Sequence, residues 1–431
     1  MADALVNFGY STVATAPTPA TTGTTLIVQA GDGTKFPTPP FDVTLYPSGT
    51  APLISNAEIA RCTSVSTDTL TLTRGVYGTT KQSVAVGWVV DNAVTANLLS
   101  QFVAVSNYAP AGKNLILNGG MEINQRASSS YTGVSGTATY GLDRWCFESS
   151  AANTTFAQST SSPPTGMRYF QSVTNTSATS TTWALSQSLE TNNVVPLQGK
   201  TVTVSFQYQI PTNFSNTVQV YLKYSTGTDA NLLNAGTIIL PSGLLNMDNN
   251  GTIFVNSSWS TAYGNFVIPS NATSLAIQFN SGGSTVNGAQ FNVTAVQMEV
   301  GATVTPFIRQ CNNYQDELAG CQRFYLQINS VGNSYTQFGQ GLCGSTTQAI
   351  IQIQYPVQMR GNTTLNTSGS FLLYDGANVY TSISSIAINN GSVGPTSAVV
   401  YVNGSSYVQY RSVVLEAYGS TATYMAFNAE L

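Results

Sequence analysis

The chain has 431 residues, of which 7% are charged and 42% hydrophobic, with 14 basic and 18 acidic side chains and a formal net charge of −4. That hydrophobic share excludes a disordered chain, the length provides for roughly two to four cores, with about three expected, and the singly scattered Lys and Arg offer no field for nucleic acid. The absence of histidine removes the commonest general base, the serine triads and imidazole metal sites.

Residues 1 to 107 read as a first unit. Its start, "MADALVNFGYSTV", lacks a basic stretch followed by an apolar one, and no window reaches the ~18 apolar residues of a membrane span, so neither a signal peptide nor membrane insertion is expected. The Pro/Thr-rich lead "STVATAPTPATTGTT" reads as extended chain lying along a partner surface. Short β-rich runs follow, "TLIVQAGDGTKFP", "FDVTLYPSG", "NAEIARCTSVSTDTLTLTRGVYGT" and "SVAVGWVVDN", broken by Gly, Pro and Asp-Gly turns. They predict a small antiparallel sheet or barrel, with Glu58 and Arg74 as a cross-strand ion pair. In "VTANLLSQFVAV", Val94, Leu98, Leu99, Phe102 and Val105 make an apolar helical stripe. Such a helix either folds back on the barrel or meets copies of itself; the polar linker "SNYAPAGK" after it favours self-association.

Residues 113 to 310 alternate with period two. In "TVTVSFQYQI", Val202, Val204, Phe206, Tyr208 and Ile210 share one face; in "TVQVYLKY", Val218, Val220 and Leu222 point one way and Tyr221 the other. Half-buried strands of this kind, continued in "SLAIQFN" and "FNVTAVQMEVG", predict a sandwich of two sheets. Residues 311 to 431 open with a helix-like connector, "NNYQDELAGCQRFYLQI", and continue as strands in "QAIIQIQYPVQM", "SFLLYDG", "AVVYVN", "SVVLEAYG" and "TYMAFNAEL", a second sandwich. The expected fold is therefore all-β, with a short helix linker between a small β-domain and two sandwiches in series. The five cysteines match no zinc spacing and read as free thiols, with a Cys311–Cys321 disulfide as the alternative.

"NLILNGGMEINQR", "YGLDRW", "LQGKTVTVSFQYQI", "SSWSTAYGNFVIP" and "VQMEVGATVTPFIRQ", in that order over about 200 residues, resemble the carbohydrate-binding-module-like jelly roll of tail fibres and other virion proteins of tailed bacteriophages. "DELAGCQRFY", "PVQMR" and "AFNAEL" are similar to the terminal domain that accompanies it, and "FPTPPFDVTLYP", "NAEIARCTSV" and "LTLTRGVYGT" to the small β-domain that begins many such proteins. The resemblance implies a homotrimeric fibre in the virion, attached to other tail, baseplate or capsid proteins at its front and presenting sandwiches to host surface polysaccharide. A capsid or neck fibre or decoration protein with a purely structural role is the rival reading, and a glycan depolymerase a third.

Sugars are bound by aromatic faces with amides and hydroxyls around them. Tyr221, outward by alternation, and Trp183 and Trp259, in strand-edge segments, are the candidate platforms; burial beneath a sheet is the alternative for both tryptophans and the expectation for Trp145. Glu122, behind the "NGG" turn, and Glu299, in the last sandwich strand, would meet if first and last strands are neighbours. With Asp143 as a third donor they would then hold a structural Ca²⁺, as related sugar-binding modules often do. The alternative gives each carboxylate its own cation, for example Arg126 or Arg144.

Overall fold

Alternation of apolar and polar side chains, interrupted at a few decisive positions, builds almost every element of this chain. A computed structural model describes residues 6–96, 113–133, 136–150, 154–176, 181–211, 217–283, 285–311 and 313–431, and within them the fold is all-β, every strand pairing being antiparallel. The chain divides into two compact units, residues 1–108 and 109–431.

In the first unit the strands Tyr10–Thr15, Thr25–Val28, Thr69–Thr73, Glu58–Ser66, Phe41–Tyr46 and Val89–Asp91 pair in that order and close into a barrel. Its interior is filled by Val13, Leu26, Phe41, Val43, Leu45, Leu70 and Leu72, each worth about 1.5–3 kcal/mol when fully buried. The Pro/Thr-rich lead does not lie free for a partner. Its start, up to Thr15, is part of a barrel strand, because Ser11 and Val13 alternate inward and pair with Val90 and Val28. Glu58 and Arg74 form the expected pair, fully buried and two-pronged at 2.5 and 2.7 Å. Arg74 also donates to the carbonyls of Ala20 and Gly23, which ties the rest of the lead to the barrel. Apart from Val94, Thr95 and Ala96, the predicted apolar helix lies outside the described residues.

The second unit holds two large hydrophobic cores, one from Ile116 to Met298 and one from Leu326 to Ala429. The first lies between two sheets. One has the order Ser242–Leu245, Ser260–Val267, Thr201–Gln209, Gln290–Val300, Phe170–Asn175, Thr154–Ser159, Ser130–Thr132. The other has the order Thr237–Ile239, Val218–Ser225, Ser274–Ser281, Trp183–Leu189, Cys146–Ser149, Thr139–Tyr140. The second core joins a three-stranded sheet, Tyr325–Asn329, Tyr424–Asn428, Thr364–Ser368, to a seven-stranded one centred on Gln337–Cys343 and Gln348–Gln354.

One of these interruptions shapes the surroundings of the "NGG" turn. Counting by twos from Phe291 and Val293 would turn Gln297 and Glu299 into the core, yet the residues that face inward are Val296 and Met298. A β-bulge at Ala295, left-handed at φ 53°, inserts the extra residue and shifts the register against Thr201–Gln209. The bulge costs on the order of 1 kcal/mol of backbone strain and keeps an amide and a carboxylate out of an apolar core, where burial costs more.

Candidate functional site

The "NGG" turn is built on that bulge. Asn118 and Met121 adopt left-handed backbone, the Gly119 carbonyl accepts from Val296 N, and a Cβ on Gly119 would lie 2.1 Å from the Val296 carbonyl oxygen. Only glycine allows this approach. Glu122, just beyond the turn, takes a two-pronged bond from Arg309, Nε to Oε2 at 2.9 Å and Nη2 to Oε1 at 2.7 Å. Glu299 accepts from Thr305 N and Oγ1 and pairs with Lys113 at 2.8 Å. Asp143 is fully buried, accepts from Gln125 and faces Arg126 at 3.6 Å.

The three carboxylates therefore do not form a calcium site. Each has its own cation, and among the described residues no group of three His, Cys, Asp or Glu is placed to hold a metal. The cations also differ from those expected for Glu122 and Glu299: Arg126 and Arg144 both serve Glu430 instead. Glu122 and Glu299 do share one object, the segment 305–309, which they hold from its two ends. Gln297 and Asn114 bind Ile308 between them. Farther on, Glu317, in the helix Tyr314–Gln322, accepts from Cys311 N and from Asn118 N of the same turn. Cys311 and Cys321 are free, as are the other three cysteines.

Of the aromatic candidates, Trp183 is not a platform. Its strand position puts it on the Leu185 face, where it is buried and stacked on Phe291 at 5.6 Å. Trp145 is buried as expected, its indole N–H donating to Asn118 O. Trp259 is half-buried, held edge-on to Phe170 and by a bond to Ser162 O. It walls a hollow of about 370 Å³ with Pro163, Pro164 and Gln207, whose buried Oε1 has no partner among the described residues.

Tyr221 points outward as alternation requires. Register then fixes its neighbours on the outer face of its sheet: Gln219, Asn280, Ala184 and Glu148 form one row, and Tyr221, Gln278, Ser186 and Cys146 the next. Leu233, from the loop after the Tyr221 strand, lies across part of this face. Its carbonyl accepts from Lys223 Nζ and Gln278 Nε2, while Asn234 donates to Glu148 at 2.6 Å. The uncovered end is a groove of about 370 Å³ between Tyr221, Asn280, Ala184, Glu148 and Ser150, within the ~300–1,000 Å³ of small-molecule sites. Burial pushes the Tyr221 hydroxyl above its ordinary pKa, which leaves it a neutral donor and acceptor. Asn280 lies in the groove with its Nδ2 buried, and its side chain hydrogen-bonds the Tyr221 hydroxyl, which pulls that pKa back down against the burial. Asn280 and Glu148 were not singled out from sequence, although each is an outward position of its strand, because only strand order brings them beside Tyr221.

Neither family models nor curated protein sequences match this chain. Solved structures that align with part of it include the enzymatically active domain of bacteriophage CBA120 tailspike protein 4, at 12% identity over 44% of this chain and TM-score 0.29; the chain spans only 22% of that structure. Two others are the C-terminal family 22 carbohydrate binding module of Clostridium thermocellum Xyn10B, at 14% identity, 46% of this chain, 99% of that one and TM-score 0.28, and the xylan-binding domain of Paenibacillus barcinonensis Xyn10C, at 15% identity, 46% of this chain, 99% of that one and TM-score 0.24. Scores this low leave the architecture to rest on the chain's own sheets.

Proposed function

We propose that the chain is a structural fibre protein of a phage virion, in the tail rather than the head, that attaches through residues 1–107 and binds host surface polysaccharide on the outer sheet face at Tyr221. The motif series from "NLILNGGMEINQR" to "AFNAEL" supports the virion assignment. The observation that carries the binding reading is the Tyr221 groove, with a half-buried ring beside the Asn280 amide. A sugar ring meets the first with its apolar face and the second with a hydroxyl. The acids support binding without cleavage as the reading: among the described residues the groove is lined by one carboxylate, Glu148, engaged by Asn234, where glycoside hydrolysis uses a pair.

An array of bacterial surface oligosaccharides probed with the native chain and with Tyr221→Ala tests this, with a loss of roughly tenfold expected, about 1.4 kcal/mol. Equal signals from the two proteins would refute the groove. Silence of the native chain on every glycan would favour the purely structural capsid or neck role. Incubation with host polysaccharide should release no shorter oligosaccharides, and light scattering should give about three times the 45.5 kDa chain mass. Antibody labelling of intact particles in the electron microscope separates tail from head.

A further inference from the structure

A larger cleft lies elsewhere in the unit 109–431, where the sandwich strands Ser130–Thr132 and Thr139–Tyr140 face the three-stranded sheet of the terminal sandwich. It has a volume of about 610 Å³. The three-stranded sheet turns Leu326, Met425 and Phe427 into its core. By period two it then presents Tyr325, Gln327, Tyr424, Asn428, Thr364 and Asn366 to the cleft. Tyr131 and Tyr140 stand on the facing wall.

Three of the four tyrosines are fixed in place by their own hydroxyls. Tyr131 donates to Asn124 Oδ1 at 2.5 Å, Tyr140 to the Leu431 carbonyl at 2.8 Å and Tyr325 to Gln327 Oε1 at 2.6 Å. Rings held this way lose little freedom when a ligand arrives. Thr364 and Asn366 are exposed and Tyr424 is half-exposed. Among the described residues, Arg126 is the single charged one in the lining. Its guanidinium carbon sits over the Tyr325 ring, 3.6 Å from the centroid, and its nitrogens lie 3.6 Å from both Asp143 and Glu430, so its charge is balanced from behind. An anion would gain little here. Tyrosine faces, primary amides and hydroxyls around a hollow whose one cation is already paired match the alternating apolar faces and hydroxyl edges of a neutral sugar.

We propose that this cleft is a second binding site, separate from the Tyr221 groove, for a neutral oligosaccharide, with Tyr424 and Tyr131 as ring faces and Asn366, Thr364 and Asn428 pairing with sugar hydroxyls. It does not depend on the Tyr221 groove binding anything.

The test is calorimetric titration of the full chain with neutral hexose and pentose hexasaccharides and with uronate-containing ones, using four proteins: native, Tyr424→Ala, Ala138→Trp and Tyr221→Ala. Ala138 is an exposed residue at the cleft, so its tryptophan variant fills the cleft from outside without touching a core, and an unchanged melting temperature verifies the fold. The expected result is a neutral hexasaccharide whose binding falls roughly tenfold or more in both Tyr424→Ala and Ala138→Trp, persists in Tyr221→Ala and changes little over a tenfold range of salt. Neutral-sugar binding that survives both cleft variants overturns the proposal, as does the absence of neutral-sugar binding or a preference for uronates that salt abolishes. Binding lost only in Tyr221→Ala would uphold the groove and overturn the cleft; binding lost only in the cleft variants upholds the cleft, and the groove is judged by the Tyr221→Ala array.

Discussion

At the scale of single residues, the few charges of this chain act as staples. Glu58, Glu122, Glu299, Glu317 and Glu430 each hold two or more segments together through specific bonds, and Asp143 does the same from full burial. Burial pushes the Asp143 carboxyl up to about 6, although Arg126 and the Gln125 bonds pull it down. An unfolded Asp loses its proton near about 3.9. Between about 4 and 6 the folded chain therefore binds a proton that the unfolded chain does not. This group's contribution to stability is greatest below that window and declines as pH rises through it, by up to about 1.4 kcal/mol per pH unit. Asp143→Asn removes that component, so the urea midpoint of the second unit should fall less between pH 4 and 6 than in the native chain. Identical pH slopes in the two proteins would contradict this account. The sequence singled out Glu58, Glu122, Glu299 and Asp143 in a charge-poor chain, but beyond the Glu58–Arg74 pair it did not show the partners, because Glu122 meets Arg309 across 187 positions and Asn118 meets Glu317 across 199.

At the scale of elements, the inward faces of the strands were legible from alternation alone, as in Val202, Val204, Phe206 and Tyr208 or Val218, Val220 and Leu222. Trp183 was not, since "TTWALSQ" carries a small residue on one side and a leucine beyond, and only the pairing of Leu185 with Phe147 and Phe279 shows which face is the core. The bulge at Ala295 was equally hidden: "FNVTAVQMEV" alternates well enough to pass for a regular strand. The turn that rests on the bulge gives a sharp test. Gly119→Ala drives a Cβ to 2.1 Å from a backbone oxygen, whereas a Cβ on Gly120, the next residue, meets nothing closer than 3.5 Å. Chemical denaturation should show Gly119→Ala destabilised by about 1–3 kcal/mol or more and Gly120→Ala within about 0.5 kcal/mol of native. Comparable losses in the two variants would mean that the turn does not sit on the bulge as described.

At the scale of the whole molecule, two compact units carry separate cores, and each has its own buried ion pair. In the second unit, Arg144 is buried against Glu430, with its guanidinium 3.6 Å over the Phe324 ring and donating to Ser188 O. Around that contact, Arg360 donates to Ala429 O and Glu430 O, and Asn231 to Leu431 O. The sandwich and the terminal sheets are locked together at this point. Glu430→Ala leaves Arg144 buried without its carboxylate, at a cost of about 3–5 kcal/mol. Glu58→Ala does the same to Arg74 in the barrel. Scanning calorimetry should show each variant lowering the melting of its own unit and leaving the other unchanged; a joint shift of both in either variant would show that the units do not melt separately.

The sequence by itself determined the all-β class, the inward face of most strands, the outward direction of Tyr221, the Glu58–Arg74 pair and the lack of histidine chemistry. These depend on composition and on period two, and both are local. Only the tertiary structure decided that Trp183 is core, that Glu122 and Glu299 clamp one segment rather than a cation, and that Tyr131 and Tyr424, far apart in the chain, face one cleft. Such juxtapositions follow from strand order and from a one-residue bulge, and a bulge that reverses every later side chain leaves almost no mark on the local pattern.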